Sequence, residues 1–350
     1  MKLATIVGTR PQFVKAAVIV RAVQEFKTKN SSNPINNILI HTGQHYDYAM
    51  SQSFFEELGL PEPAVNLNVR SSSLGAMITS LEKSLLANRP DCVLIIGDTN
   101  STLAGAIVAS KLKIPLAHIE AGLRSFNRKM PEEINRIIVD CIADYLFCPC
   151  QNAQDQLNKE NIFGKKFISG DLLYDSFLYN QNKGVIPKIK EPFALATIHR
   201  AENTDNPIRL KSIFSAMKKC PISIVMPLHP RTRKELKRNK VVLDEAIQVI
   251  DPLPYLSMLG YLSTCSFVIT DSGGLQKEAY FAGKRCLTAR GETEWVELIE
   301  CGVSILVDAF ESDTEPIFDW ALRPIEKHVN IYGNGTAGDF ILNEIAKLLK

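Results

Sequence analysis

The sequence predicts an α/β protein of two Rossmann-like, doubly wound domains. Three observations predict it. Short, continuous apolar runs alternate with helix-length amphipathic segments along the chain. The chain has 350 residues, more than a single hydrophobic core usually organises. Polar turns with Gly and charged residues follow the apolar runs. Runs this apolar suit strands buried on both faces, and strand–helix alternation builds βαβ units with parallel sheets.

In the first domain, strands are read at residues 3–7, 37–41, 93–96, 116–119 and 145–148. In the second they are read at 193–197, 222–227, 247–250, 267–270, 285–287 and 304–307. The alternation falters between 173 and 192, where residues 180–188 are mostly polar and carry Gly184 and Pro187. The boundary is placed near there. An amphipathic segment at 337–349, set off by Gly333-Asn334-Gly335, reads as a helix that returns to the first domain. The expected domains are therefore 1–172 with 336–350, and 173–335. Two such domains facing each other would form a cleft, and ligands of open α/β sheets bind beyond the carboxyl ends of the strands.

Composition narrows the partners. A net charge of +2, from 40 basic and 38 acidic residues, gives no sign of the basic face that nucleic-acid binding requires. No apolar run approaches the ~20 residues that span a bilayer. Residues 1–8 lack a signal-peptide h-region and read as a first strand, so a cytoplasmic protein with no membrane partner is expected. None of the eight cysteines forms a C-x-x-C pair, and no Cys/His cluster has zinc spacing, so no metal site is expected.

The polar residues after the strands are the candidates for chemistry. Gly8-Thr9-Arg10-Pro11-Gln12-Phe13-Val14-Lys15 combines a glycine turn, a helix start with Pro11 in its first turn, and two cations. That set suits a phosphate, and suits a capped helix with exposed cations equally well. Neither G-x-G-x-x-G nor a Walker pattern is present. Asp98 in Gly97-Asp98-Thr99-Asn100 faces the cleft or caps a helix. Glu120 in His118-Ile119-Glu120-Ala121-Gly122 ends a strand and makes a poor cap; a surface salt bridge is its alternative. In Met130-Pro131-Glu132-Glu133 two adjacent acids open a helix and diverge, so only one reaches the cleft. His199 and Arg200 end the second domain's first strand, and His229 follows another. Thr270-Asp271-Ser272-Gly273-Gly274 presents amides at a helix start, which suits a pyrophosphate, with Glu278 about one turn on. These residues point to a nucleotide-phosphate ligand handled by acid–base groups, and leave the reaction open.

Taken in order, the motifs resemble the non-hydrolysing UDP-N-acetylglucosamine 2-epimerase family. The matching residues are Gly8-Thr9-Arg10-Pro11, His41-Thr42-Gly43-Gln44-His45, Gly97-Asp98-Thr99, Glu120-Ala121-Gly122-Leu123-Arg124, Pro131-Glu132-Glu133, His199-Arg200 with Glu202-Asn203, and Asp271-Ser272-Gly273-Gly274 with Gln276 and Glu278. The resemblance implies a glycosyltransferase-B-type fold, a UDP-sugar substrate, a homodimer, and no metal or redox cofactor. It implies removal of the C2 proton with loss of UDP to give a glycal, then re-addition of UDP with protonation on the other face. By the same resemblance Asp98, Glu120, Glu132 and His199 are catalytic. Arg10, Lys15, Arg200, His229, Ser272, Gly273, Gly274, Glu278 and Arg290 hold the UDP-sugar. Gln44 and His45 match a pair that helps bind a second, activating UDP-sugar in some bacterial members.

Two departures bear on the sugar. Pro11-Gln12 stands where the family usually has Pro-Glu, and Thr293-Glu294-Trp295-Val296-Glu297 replaces Thr-Glu-Arg-Pro-Glu. With Ser125-Phe126-Asn127 they resemble a subgroup acting on UDP-2,3-diacetamido-2,3-dideoxyglucuronate. A hydrolysing 2-epimerase and a UDP-sugar glycosyltransferase are the competing readings.

Overall fold

The computed structural model describes residues 1–30, 34–44, 55, 57–189, 191–308, 314–326 and 329–349. They form two compact units, one of residues 1–178 with 330–350 and the other of residues 179–329. Each unit is built on its own parallel sheet.

The first unit has seven strands: β1 (Lys2–Val7), β2 (Asn36–His41), β3 (Val65–Asn66), β4 (Cys92–Ile96), β5 (Leu116–Ile119), β6 (Tyr145–Cys148) and β7 (Lys165–Ile168). They lie in the order β3-β2-β1-β4-β5-β6-β7. The central strands are apolar because helices cover both faces; all five residues of β4 are buried. The edge strands β3 and β7 are not among those the apolar pattern predicts. β3 is two residues long, and β7 leaves Lys165 and Ile168 exposed, so neither carries the apolar run that marks a central strand. The helix Ala337–Leu348 packs on the helix Arg10–Lys29, so closely that a Cβ on Gly338 would lie 2.8 Å from Val18 Cγ1.

The second unit has β8 (Phe193–Thr197), β9 (Ser223–Pro227), β10 (Ile247–Ile250), β11 (Val268–Thr270), β12 (Cys286–Thr288) and β13 (Ser304–Leu306), ordered β10-β9-β8-β11-β12-β13. Leu195, Val225 and Val268 are buried in its strands, and Ile213, Phe267 and Phe318 join the core beside them. Among the described residues no helix is long and apolar enough to cross a membrane.

In each sheet the strand order reverses once, between β1 and β4 and between β8 and β11. The loops at such a reversal splay to opposite faces and leave a crevice at the carboxyl ends, where open α/β sheets take ligands. Gly8 and Gly97 follow the strands of the first reversal; Ile198-His199 and Asp271 follow those of the second.

Candidate active-site residues

In the first unit Gly8 directly follows β1. A Cβ there would lie 1.9 Å from Ser101 Oγ and 2.5 Å from Thr42 Oγ1, so only glycine lets the chain turn this close. Gln12 braces the turn from inside. Its Oε1 accepts from the N–H groups of Gly8 (2.8 Å) and Thr9 (3.1 Å), and its Nε2 donates to the Ile96 carbonyl (2.8 Å) and to Thr102 Oγ1 (3.0 Å). At the Pro11-Gln12 departure the side chain is thus a buried tie between the ends of β1 and β4. Gln44 Oε1 accepts from Ser101 N (3.1 Å) and Ser101 Oγ (2.7 Å). His45 lies outside the described residues.

Lys15 reaches from the helix Arg10–Lys29 to pair with Glu120 Oε2, and both side chains are largely buried. Glu120 follows β5 with φ +68°, a left-handed conformation that costs a non-glycine residue of order 1–3 kcal/mol. Its carboxylate packs 3.1 Å from where a Cβ on Gly97 would stand. Asp98, the next residue, is partly exposed, and its Oδ2 accepts from Arg136 Nε (2.9 Å) and Nη2 (2.8 Å).

Arg136 Nη1 also donates to Glu133 Oε2 (2.6 Å). The Glu133 carboxylate further accepts from Ser125 N (2.9 Å), Ser125 Oγ (3.0 Å) and Phe126 N (2.9 Å). Burial works against its ionised form, but the two backbone N–H groups and Arg136 outweigh it and hold this carboxyl below the usual range. Glu133 is therefore spent on the loop, and Glu132 beside it is exposed.

In the second unit the buried Asp271 organises the end of β8. It accepts from His199 N (3.0 Å), Arg200 N (2.9 Å) and Asn203 Nδ2 (3.0 Å), and His199 Nδ1 lies 3.3 Å from its Oδ1. The His199 ring is partly exposed and lies 5.6 Å, centroid to centroid, from that of His229. His229 caps the helix Pro230–Arg238, its Nδ1 accepting from Arg231 N at 3.2 Å. Ser272 caps the helix Gly273–Phe281. A Cβ on Gly273 would lie 2.6 Å from Glu294 Oε1, so a side chain there would have to displace that carboxylate. Glu294 Oε2 in turn accepts from the wholly buried Arg290 (2.9 Å).

The family model for UDP-N-acetylglucosamine 2-epimerase matches residues 27–346. The chain belongs to this family. It is 46% identical to the UDP-2,3-diacetamido-2,3-dideoxy-D-glucuronate 2-epimerase of Pseudomonas aeruginosa, across 99% of this chain and 100% of that one. It is 41% identical to the UDP-N-acetylglucosamine 2-epimerase of Methanocaldococcus jannaschii, covering 98% of each. The crystal structure of the Methanocaldococcus jannaschii enzyme with UDP-GlcNAc and UDP superposes with a TM-score of 0.87 at 39% identity, covering 99% of this chain and 100% of that one. As a member of the UDP-N-acetylglucosamine 2-epimerase family, the chain is an isomerase with the family's glycosyltransferase-B-like pair of parallel α/β domains.

On this epimerase fold Lys15, Glu120 and Asp98 gather at the first reversal, with Arg10 at the helix start there and Gln44 bonded to Ser101. His199, Arg200, Ser272 and Gly273 gather at the second, and Gly274 follows in the same helix. Glu278 is buried further along that helix, and Arg290 lies behind Gly273 through Glu294. Glu132 bonds to neither Asp98 nor Glu120 among the described residues. Sequence reading passed over Arg136 and Asp140. Their signal was a charged stripe at 133, 136 and 140, one face of a helix by i, i+3, i+7 spacing. Without the fold that stripe reads as a solvated face; here all three residues are buried.

Proposed function

We propose that this chain is a non-hydrolysing 2-epimerase of UDP-2,3-diacetamido-2,3-dideoxyglucuronate, forming the mannuronate epimer for surface polysaccharide. The observation that carries the reading is the buried Lys15–Glu120 pair beside Asp98 at the first reversal, in a chain matched end to end by the Pseudomonas aeruginosa enzyme. Ser272, Gly273 and Gly274 offer backbone N–H groups to the diphosphate, Glu278 takes ribose hydroxyls, and Arg200, His229 and Arg290 add to the hold on UDP. Arg10 and Lys15 bring further positive charge, and Gln44 with His45 serves a second UDP-sugar.

A carboxylate among Asp98, Glu120 and Glu132 takes the C2 proton. The C2–H electrons form the C1–C2 double bond, and the C1–O bond breaks as UDP leaves with its pair, His199 standing by the departing phosphate. UDP then adds back to C1 while a proton is delivered to the opposite face of C2. Nothing is oxidised or consumed, so the reaction calls for no redox cofactor. The same kinship supports a cytoplasmic homodimer, which light scattering on the purified protein would check.

The test is proton NMR of chelator-treated enzyme in heavy water, with UDP-GlcNAc and the diacetamido-glucuronate substrate in parallel. Deuterium at C2 together with the UDP-linked mannuronate epimer is expected. Turnover of UDP-GlcNAc alone would reassign the sugar. Free N-acetylmannosamine with UDP would establish a hydrolysing enzyme, and no exchange in either substrate would sink the epimerase reading. Glu120→Gln is expected to lower turnover at least about 100-fold, with UDP affinity by calorimetry unchanged.

A further inference from the structure

Behind the acids of the first unit lies a buried charged relay that none of the assigned roles uses. His118, in β5, is wholly buried, with Nδ1 2.7 Å from Asp140 Oδ1 and Nε2 2.9 Å from the Gly97 carbonyl. Asp140 Oδ2 accepts from Gly122 N (3.1 Å) and Arg124 Nη1 (2.7 Å). Arg124 also grips Glu160 through Nε (2.9 Å) and Nη2 (2.6 Å).

Both ring nitrogens of His118 thus face acceptors, since a carbonyl cannot donate and neither can an ionised Asp140. A neutral imidazole has one N–H and would leave one contact as lone pair against lone pair. Burial disfavours the ionised Asp140, but the bond from His118 and the Arg124 cation outweigh it and hold this carboxyl below its usual range. The other titratable groups around the pair are Cys141 beside Asp140, Cys148 on β6, Glu160 beyond Arg124, and Glu120 with Lys15 past the end of β5.

We propose that His118, bonded through one ring nitrogen to Asp140 and through the other to the Gly97 carbonyl, is a positioning residue that locks the Gly97–Asp98 turn to the Glu120 loop. The helix Pro131–Ile142 holds both acid-bearing loops from one face. Arg136 grips Asp98 directly. One turn on, Asp140 reaches Gly97 through His118, and reaches the loop after Glu120 through Gly122 and Arg124. Charge-assisted bonds are shorter and stronger than neutral ones, and their fixed geometry resists the displacement that a Glu120 held at φ +68° would otherwise relax into.

The kinetic arm of the test rests on the epimerase reading; the spectroscopic arm does not. Protein labelled with nitrogen-15 in its six histidines is studied by NMR. One histidine is expected to show a slowly exchanging, downfield ring N–H in the wild type, the mark of a buried bond to a carboxylate, and in Asp140→Asn that resonance is expected to move upfield. A wild type with no such resonance overturns the proposal, whichever variants fold. In steady-state epimerisation, Asp140→Asn and His118→Gln are expected to lower kcat about 100-fold with KM within about threefold of wild type. Folded variants with unchanged kcat overturn the positioning role. If the wild type turns over neither UDP-sugar, the epimerase reading fails while the His118–Asp140 bond still stands or falls by the NMR.

Discussion

Asp140 in the first unit and Asp271 in the second are both wholly buried carboxylates, and each holds the loops at a sheet reversal. They do so by different means. Asp140 is met by the side chains of His118 and Arg124 and by a single backbone N–H. Asp271 is met by two successive backbone N–H groups, an amide side chain and a partly exposed histidine. The first arrangement fixes side chains that carry charge toward acid–base groups. The second fixes the backbone path of residues 199–203. The reversal whose loops carry Asp98 and Glu120 is locked by an ion pair, and the one that shapes a turn next to the glycine-rich helix start at Gly273 is locked by N–H donors.

The sharpest way to break this comparison is to neutralise each aspartate. Asp140→Asn takes the buried carboxylate away from Arg124, and removing one partner of a buried ion pair costs about 3–5 kcal/mol. Both tryptophans, Trp295 and Trp320, belong to the second unit. Urea unfolding followed by circular dichroism is therefore expected to shift to lower midpoint, while tryptophan fluorescence keeps its wild-type transition. Coincident shifts in both signals would show that the units unfold as one.

Asp271→Asn keeps one acceptor oxygen and turns an N–H₂ toward backbone donors. A loss of about 1–3 kcal/mol is expected, read this time in the fluorescence transition. Turnover is expected to drop as well, because His199 and Arg200 follow the Asp271 bonds. Wild-type turnover in a folded Asp271→Asn would show that the turn holds its shape without the carboxylate.

The sequence disclosed one side of this comparison better than the other. Asp271 stands in a glycine-rich turn directly after an apolar run, and such a turn announces itself. Asp140 sits in the last turn of its helix, 18 residues beyond the loop whose Gly122 it holds, and its pairing with His118 exists only once β5 and that helix are packed. The central strands were legible because burial on both faces demands continuous apolar runs; β3 and β7 were not, because an edge needs no such run. The split between Glu132 and Glu133 was legible as a divergence of adjacent helical residues, but which acid turned inward was not. That choice was made by Ser125, Phe126 and Arg136, whose positions come from the fold.

A third buried carboxylate sharpens the role of the cations. Asp175 Oδ2 accepts from Gly338 N at 2.9 Å, joining the helix Leu172–Asn180 to the helix Ala337–Leu348, and burial, with the charges of Asp171 and Asp339 adding to it, pushes its carboxyl up to about 6. The folded chain then holds a proton that the unfolded chain has released above about pH 4. Stability is lost as pH rises from about 4 through about 6, and the deficit is complete at pH 7 and above. Asp175→Asn is expected to gain about 1–2 kcal/mol over wild type at pH 7.5, with the gain vanishing below pH 4. Urea midpoints by circular dichroism at the two pH values check this; an equal gain at both would remove the titration from the account.

The smallest effect concerns Gln12. A carboxylate there keeps the bonds from Gly8 N and Thr9 N but loses both donor contacts, and its second oxygen faces the Ile96 carbonyl. Thr102 Oγ1, which now donates to the same carbonyl at 2.8 Å, can turn to meet the new oxygen and offset part of the loss. Gln12→Glu is expected to cost about 1 kcal/mol at neutral pH. The cost shrinks at low pH, where a protonated carboxyl restores one donor. Because the side chain ties β1 to β4 from inside, the ratio of kcat/KM for the two UDP-sugars is expected to stay put. A shift of that ratio beyond about tenfold, or 1.4 kcal/mol, would mean that position 12 selects the sugar, and that the buried tie is not its main role.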